Sequence, residues 1–354
     1  MASLFEPLKI RGVTFSNRIW VSPMCQYSGI DGVATAWHDV HIGSFATGGA
    51  GMIMMEASGV VPEGRISTAC LGLWNYAQTE RLKPIVEFAH SMGTKIGIQL
   101  AHAGRKASCL PPWSDHPMAS KEEGGWDCVA PSAISFGGKY PVPKELTESE
   151  IRALVTSFAE SAKRAVKAGF DLVEIHAAHG YLIHQFLSPI SNKRQDNYGG
   201  SFENRVRFIL EITKAVRSAI PDSMPLFVRI SASDWLEDGW SIDDSVELCR
   251  LLKAAGVDLI DVSSGGTSSG APVPVGPGYQ VPFATRIKQD SNILTCAVGL
   301  ITEPKQADEI VKNGEADAVM MAREFLRNPR WPFHAAKELN AEVSWPVQLL
   351  RGKA

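Results

Sequence analysis

The sequence predicts a single α/β domain, a (β/α)8 TIM barrel with an N-terminal hairpin cap and an extended loop after strand three. Three observations lead there. Eight short β-rich apolar runs recur along the 354 residues, and each is followed by a longer segment of helical periodicity. Runs apolar at nearly every position read as parallel strands buried on both faces, and eight strand–helix units close a barrel rather than an open sheet. A barrel of this type takes about 250 residues, so the surplus belongs to insertions within one domain spanning 1–354.

Taken in order, "LFEPLKIRGVTFSNR" reads as a hairpin turning at Arg11-Gly12 and capping the bottom of the barrel. The strands follow as "RIWVSPM" (18–24), "GMIMMEA" (51–57), "KIGIQLA" (95–101), "DLVEIH" (171–176), "LFVRIS" (226–231), "LIDVSS" (259–264), "ILTCAVG" (293–299) and "DAVMMAR" (317–323). Residues 103–146, rich in Pro, Gly and Trp, form the insertion after strand three, over the active site. The helix behind it opens at Thr147, whose pairing with Glu150 makes a capping box, and stops at Gly169. Further helices open at Ser201, over "SFENRVRFILEITKAVRSAI", and at Ser241, over "SIDDSVELCRLLKAAG".

A chain 45% hydrophobic and 21% charged is expected to be globular, and a formal charge of -3 with interspersed signs leaves no stripe for nucleic acid or a membrane surface. Small-molecule partners are expected. No apolar run has signal-peptide or membrane-span length, which reads as cytoplasmic. The six cysteines lack Cys-x-x-Cys spacing and read as reduced, packed thiols.

In a parallel barrel the chemistry gathers where strands end, because the loops there vary without disturbing the core. Strand one ends in Ser22, Pro23, Met24 and Cys25, followed by Gln26 and Tyr27. Strand two ends in Glu56 and Ala57, and strand three in Gln99 with His102, Arg105 and Lys106 beyond. Strand four carries His176, His179 and Tyr181; strand five carries Arg229, strand six Ser263 and Ser264, strand seven Gly299 and strand eight Arg323. Barrels commonly hold a phosphate after strands seven and eight, where Arg323 can fork onto its oxygens. The alternative for Arg323 is a surface ion pair with Glu324 or Glu315. Arg229, on a barrel strand, has Glu174 as its candidate counter-ion.

"SPMCQYS", "GGAGMIMMEA", "GIQLAHAGRKA", "HAAHGYLIHQFLSPISNKRQDNYGGSFENRVRF", "VRISASD" and "MAREFLRNP" occur in an order and spacing that resemble the Old Yellow Enzyme family of flavin-dependent ene-reductases. The likeness is greatest to its thermophilic-like branch, which includes bacterial NADPH dehydrogenases and xenobiotic reductases. It covers nearly the whole chain.

The resemblance implies a non-covalent FMN across the barrel mouth, with NADPH as hydride donor. Ser22, Pro23, Met24 and Cys25 would line the ring, Ala57 and Gln99 would meet its polar edge, and Arg229 would stabilise the reduced anion. Gly299, Ala322 and Arg323 would take the phosphate. The family usually places Gly before this arginine. Ala322 keeps the N–H and disfavours positive φ, so either the backbone there is ordinary or the grip is altered.

His176 and His179 would donate to the carbonyl oxygen of an α,β-unsaturated substrate such as an enone or maleimide, or to a nitro compound, and Tyr181 would supply the proton. Tyr27 and Lys106 would line the substrate pocket, Cys25 would tune the flavin, and Arg351 would reach into a neighbouring subunit of a homodimer or homotetramer. Two rival readings are a metal-dependent barrel hydrolase or aldolase using Glu174, His176 and His179, and a non-catalytic flavin-binding protein. The i, i+3 spacing of the histidines does not match a helical zinc pair, and no metal is expected.

Overall fold

A computed structural model describes residues 2–353; Met1 and Ala354, which the 1–354 domain also includes, lie outside the described residues. Twelve strands occur among them: β1 (Leu8–Ile10), β2 (Val13–Phe15), β3 (Ile19–Val21), β4 (Met52–Gly59), β5 (Lys95–Ala101), β6 (Val129–Ala130), β7 (Lys144–Glu145), β8 (Leu172–Ala177), β9 (Leu226–Ser231), β10 (Leu259–Ser263), β11 (Leu294–Ala297) and β12 (Ala318–Met321). Eight of them close a barrel in the order β3-β4-β5-β8-β9-β10-β11-β12, every pair parallel and β12 returning to β3. All eight apolar runs therefore became barrel strands.

The hairpin forms as the spacing predicts, β1 and β2 pairing antiparallel with Ile10 opposite Val13. Arg11 takes the left-handed φ of 50° that such a two-residue turn needs. Its Nε lies 2.6 Å from Asp258 Oδ1, and Gly12 N–H donates to Ser223 O at 2.9 Å. Both partners precede strands, at β10 and β9, so the hairpin covers the N-terminal end of the barrel. Ile10 and Phe15 pack there with Trp20, Met52, Leu172, Phe227 and Leu259.

Because side chains alternate along a strand, the inward positions can be followed upward from this apolar plug. They change from Leu172 to Glu174 to His176 on β8, from Phe227 to Arg229 to Ser231 on β9, and from Leu259 to Asp261 to Ser263 on β10. The interior is apolar at the bottom and polar towards the rim.

The helix after the insertion runs Glu148–Ala168, with Thr147 accepting from Glu150 N–H and Thr147 N–H donating to Glu150 Oε2 at 2.8 Å. The helix expected from Ser201 is divided: Phe202–Arg205 and Arg207–Ala219 flank Val206. The i to i−4 bonds Val206 N–H to Phe202 O and Leu210 N–H to Val206 O pass through the break, so the interruption is one residue of altered geometry rather than a change of path. Within 103–146, β6 and β7 form a small parallel pair. Arg194 ties it to the loop after β8, donating to Pro131 O at 2.9 Å and Leu146 O at 2.6 Å. Among the described residues no helix is long and apolar enough to cross a membrane, and all six cysteines are free.

Candidate active site

The turn after β8 sets the site. His179 adopts φ 59° and Gly180 φ 70°, which swings the chain across the barrel mouth. His179 N–H donates to Ser231 Oγ at 2.9 Å, and Lys106 Nζ donates to His179 O at 2.8 Å and Gly266 O at 3.1 Å. A Cβ on Gly180 would lie 2.1 Å from Gly266 O, so only glycine fits. Gly180→Ala is expected to cost about 1–3 kcal/mol through the disfavoured backbone alone, read as a lower denaturant midpoint.

The rings of His176 and His179 meet edge to face at 5.2 Å, and those of His176 and Tyr181 at 5.1 Å. Burial drives both imidazoles well below the ordinary histidine range, with Arg229 adding to the effect, so both are neutral at physiological pH. Each then carries one N–H. His176 Nδ1 accepts from Ala178 N–H at 3.3 Å, which leaves its proton on Nε2. His179 Nε2 lies 2.8 Å from Ser263 Oγ. Gln280 Oε1 already accepts from Ser264 Oγ at 2.6 Å and lies 3.3 Å from Ser263 Oγ. The Ser263 hydroxyl has both Gln280 Oε1 and His179 Nε2 as acceptors within reach, and His179 carries its proton on Nδ1 in the tautomer that accepts from Ser263. His176 thus keeps one N–H that no protein group consumes, and His179 keeps one in its Nδ1-protonated tautomer.

Tyr181 is half-buried, and the loss of water around its hydroxyl pushes the phenol well above the usual range, so it keeps its proton. Lys106 Nζ sits 5.1 Å from the Tyr181 ring centroid and 4.5 Å from that of Phe136. Burial, helped by Arg105, lowers the Lys106 ammonium to about 8. Tyr27, at φ 50°, packs edge to face on Trp113 at 5.8 Å.

Beneath these groups lies a dry polar layer. Gln99 Nε2 donates to Glu174 Oε1 at 2.8 Å, and Arg229 Nη1 donates to Ser22 Oγ at 3.2 Å. The expected pairing of Arg229 with Glu174 is not what forms. Asp261, beside Arg229 in register on β10, takes the ion pair at 3.1 Å from Nε, though out of line for a hydrogen bond. Strand register decides this: Glu174 faces Gln99 and Phe227, and it is His176 that stands opposite Arg229. Burial and then Asp261 push the Glu174 carboxyl up to about 8.

Two histidines that sequence reasoning passed over brace the rim loops in the same way. His38 Nδ1 accepts from Thr35 N–H at 3.0 Å and its Nε2 lies 3.2 Å from Glu56, whose other oxygen accepts from Gln26 N–H at 3.1 Å. His184 Nδ1 accepts from Gly180 N–H at 2.9 Å and its Nε2 lies 3.1 Å from Asp234. Asp234 also accepts from Ser188 Oγ at 2.6 Å and Trp240 N–H at 2.8 Å. The first brace holds the chain that carries Cys25 and Tyr27. The second holds the turn that carries His179.

At the β11 and β12 ends, Gly299 has φ 125°, and a Cβ there would sit 2.8 Å from Gln280 Nε2. Ala322 has φ -106° and ψ -84°, outside the regular helix and strand regions but without the positive φ that alanine disfavours. Neither carboxylate named for Arg323 takes it. Glu324 pairs with Arg327, and Arg323 is exposed with no ion pair among the described residues. Tyr279 joins the two regions, since burial lifts its phenol while Arg323 and Arg229 both act to lower it.

Ser22, Pro23, Met24, Cys25, Ala57 and Gln99 line the adjoining arc of β3, β4 and β5, with Glu56 and Ala57 at an irregularity in β4 that re-aims its end. The Cys25 thiol is pushed well above its usual range by its hydrogen bond with Cys70 and by burial, so it is not a thiolate. Arg351 is the one predicted residue not brought to this rim. It is exposed on the 3-10 segment Val347–Gly352, which flanks a groove of about 790 Å³ beside Phe333 and Trp345. Glu174 bonds to Gln99 one layer below His176, and among the described residues no three His, Cys, Asp or Glu side chains converge as metal ligands.

The arrangement fits a ligand with a polar edge and a phosphate tail: polar side chains on one arc, a glycine and an arginine without an ion pair among the described residues on another. Residues 3–342 match the model of the NADH:flavin oxidoreductase / NADH oxidase family. An NADPH dehydrogenase of Geobacillus sp. (strain WCH70) is 50% identical over 351 residues, covering 99% of this chain and 98% of the relative. The solved old yellow enzyme homologue from Zymomonas mobilis is 28% identical with a TM-score of 0.78, over 98% of this chain and 95% of that one. A 2-naphthoyl-CoA reductase superposes with a TM-score of 0.87 at 26% identity, over 95% of this chain and 52% of that longer one.

Proposed function

The chain belongs to the NADH:flavin oxidoreductase / NADH oxidase family and is an FMN-dependent NADPH dehydrogenase, and we propose that it reduces the activated C=C bond of α,β-unsaturated carbonyl compounds. FMN, when bound, supplies the two-electron chemistry that links the NADPH half of a ping-pong cycle to the carbonyl half.

The chain's own residues do the rest. Ser22, Gln99 and Arg229 hold the polar edge of the ring, with Pro23, Met24, Cys25 and Ala57 packed along it, and Gly299, Ala322 and Arg323 take the phosphate. His176 holds the substrate carbonyl oxygen through its free Nε2–H and His179 through Nδ1–H, and the two neutral rings set edge to face at the barrel mouth are the observation that carries this reading. Donors placed where negative charge grows favour the transition state over the ground state. Tyr181 gives its proton to the α-carbon. A phenol that stays protonated suits an acid that acts only after the charge has formed. Tyr27 and Lys106 border the substrate, and Cys25, a neutral thiol, tunes rather than attacks. An oligomer in which Arg351 meets a neighbour's rim accords with its distance from its own.

The test is anaerobic. NADPH should bleach the yellow holoenzyme, and cyclohexenone or a maleimide should restore the colour; bleaching without recovery would leave only a flavin-binding protein. Tyr181→Phe is expected to slow the recovery by about 10²–10⁴-fold while bleaching keeps its rate. Equal losses in both halves would reduce Tyr181 to packing.

A further inference from the structure

The layer under the rim holds one cation and two carboxyls. Arg229, Asp261, Glu174 and Gln99 are each 6% exposed or less. Three other neighbours matter to its charge. Cys296 on β11 is a thiol held protonated by burial and by the two carboxyls, His176 on the same strand as Glu174 is neutral, and Phe227 beside Glu174 is apolar. With both carboxyls ionised the layer would carry a net negative charge out of water, which is costly unless paired. Arg229 lies 3.1 Å from Asp261, so the guanidinium answers Asp261. Glu174 has only a neutral amide donor, from Gln99, and its Oε2 is buried without a partner. The layer balances when that carboxyl keeps a proton.

We propose that Glu174 is a redox-linked proton site, a positioning residue whose carboxyl holds the proton that offsets the charge arriving beside Arg229 when FMN is reduced. The proposal rests on the reading above, in which Arg229 meets the flavin. Delivery of a hydride adds two electrons and one proton to the ring, a net gain of one negative charge. That charge competes with Asp261 for the same guanidinium and strengthens proton binding to the carboxyl pair. Where the oxidised enzyme has begun to lose the Glu174 proton, at alkaline pH, reduction takes one H⁺ from solvent and converts Glu174 carboxylate to carboxylic acid. NADPH supplies both electrons, and nothing else is oxidised or reduced. Linkage makes the effect reciprocal, so protonation of Glu174 raises the flavin potential.

The experiment measures the potential of the FMN holoenzyme against pH, from neutral to alkaline, in the wild type and in Glu174→Gln. Glutamine matches the shape and neutrality of the protonated acid, so the variant should fold. In the wild type the slope should steepen from one proton per two electrons at neutral pH to two at alkaline pH. In Glu174→Gln it should stay at one throughout. Reduced-minus-oxidised infrared spectra of the wild type at alkaline pH, which need no variant, should show a carboxylic-acid C=O band appearing on reduction. A slope that never steepens, the same break in both proteins, or no such band would overturn the proposal. Bleaching of the same samples by NADPH is scored first. Failure to bleach would sink the functional reading and the proposal together, whereas normal bleaching with an unbroken slope sinks the proposal alone.

Discussion

His176→Ala is expected to slow reduction of an enone by about 10²–10³-fold, the usual effect of removing one donor to a developing oxyanion, while FMN remains bound. In the proposed site the flavin's polar partners are Ser22, Gln99 and Arg229, and none of them bonds to His176. Phenol binding should weaken as well, because on the proposed reading a phenolate oxygen would take the place of the substrate oxygen. The NADPH half of the cycle should be nearly untouched. Since burial holds the imidazole far below the ordinary range, the ring stays neutral and the wild-type rate should show no histidine titration between pH 6 and 8, about where an unperturbed imidazole would titrate. The measurement is a stopped-flow comparison of the two half-reactions, and unchanged enone kinetics would remove His176 from the oxygen site. His179→Ala should behave alike, with a double variant falling short of the product because the two donors act on one atom.

The barrel was legible because strand burial and strand pattern are local. "DLVEIH" and "LFVRIS" are apolar enough to be strands whatever surrounds them, and a glycine with a capping box bounded the helix at Glu148–Ala168. The hairpin was legible for the same reason, at Arg11-Gly12. What one strand's pattern could not reveal is which neighbour a buried charge meets. Glu174 and Arg229 are two inward residues on adjacent strands, yet the register sets Arg229 beside His176 and Asp261. An aspartate inside "LIDVSS" was the available signal, since an inward acid on a barrel strand requires a partner. His184 and Asp234 were hidden more deeply. Their function is to hold Gly180 N–H in a turn whose path depends on the loop at Gly266, and no spacing rule joins residues fifty positions apart. Ser263 was noted only as a rim residue, although its hydroxyl lies 2.8 Å from His179 Nε2 and links that ring to Gln280.

The larger structural loss should follow Arg229→Met. Removing one partner of a buried ion pair leaves the other uncompensated, at about 3–5 kcal/mol, and here the residue left is Asp261, fully buried and already lifted by burial against the pull of Arg229. Without the guanidinium its carboxyl rises further. The folded state then binds a proton that the unfolded chain has released, so the variant loses stability as pH climbs above the unfolded carboxylate value of about 3.9. Its deficit relative to wild type should be largest at neutral pH and shrink towards acid. The prediction is checked by urea denaturation of the apoprotein at several pH values, which removes FMN affinity from the comparison; a deficit independent of pH would mean lost packing rather than an orphaned charge. Adding Asp261→Asn removes the titrating group, so the double variant should recover stability at neutral pH. On the proposed reading it should not recover FMN binding, because the cation placed beside the flavin is still gone. That separation matters, since stability and cofactor affinity fall together in the single variant and only the pair of substitutions shows that Arg229 serves both.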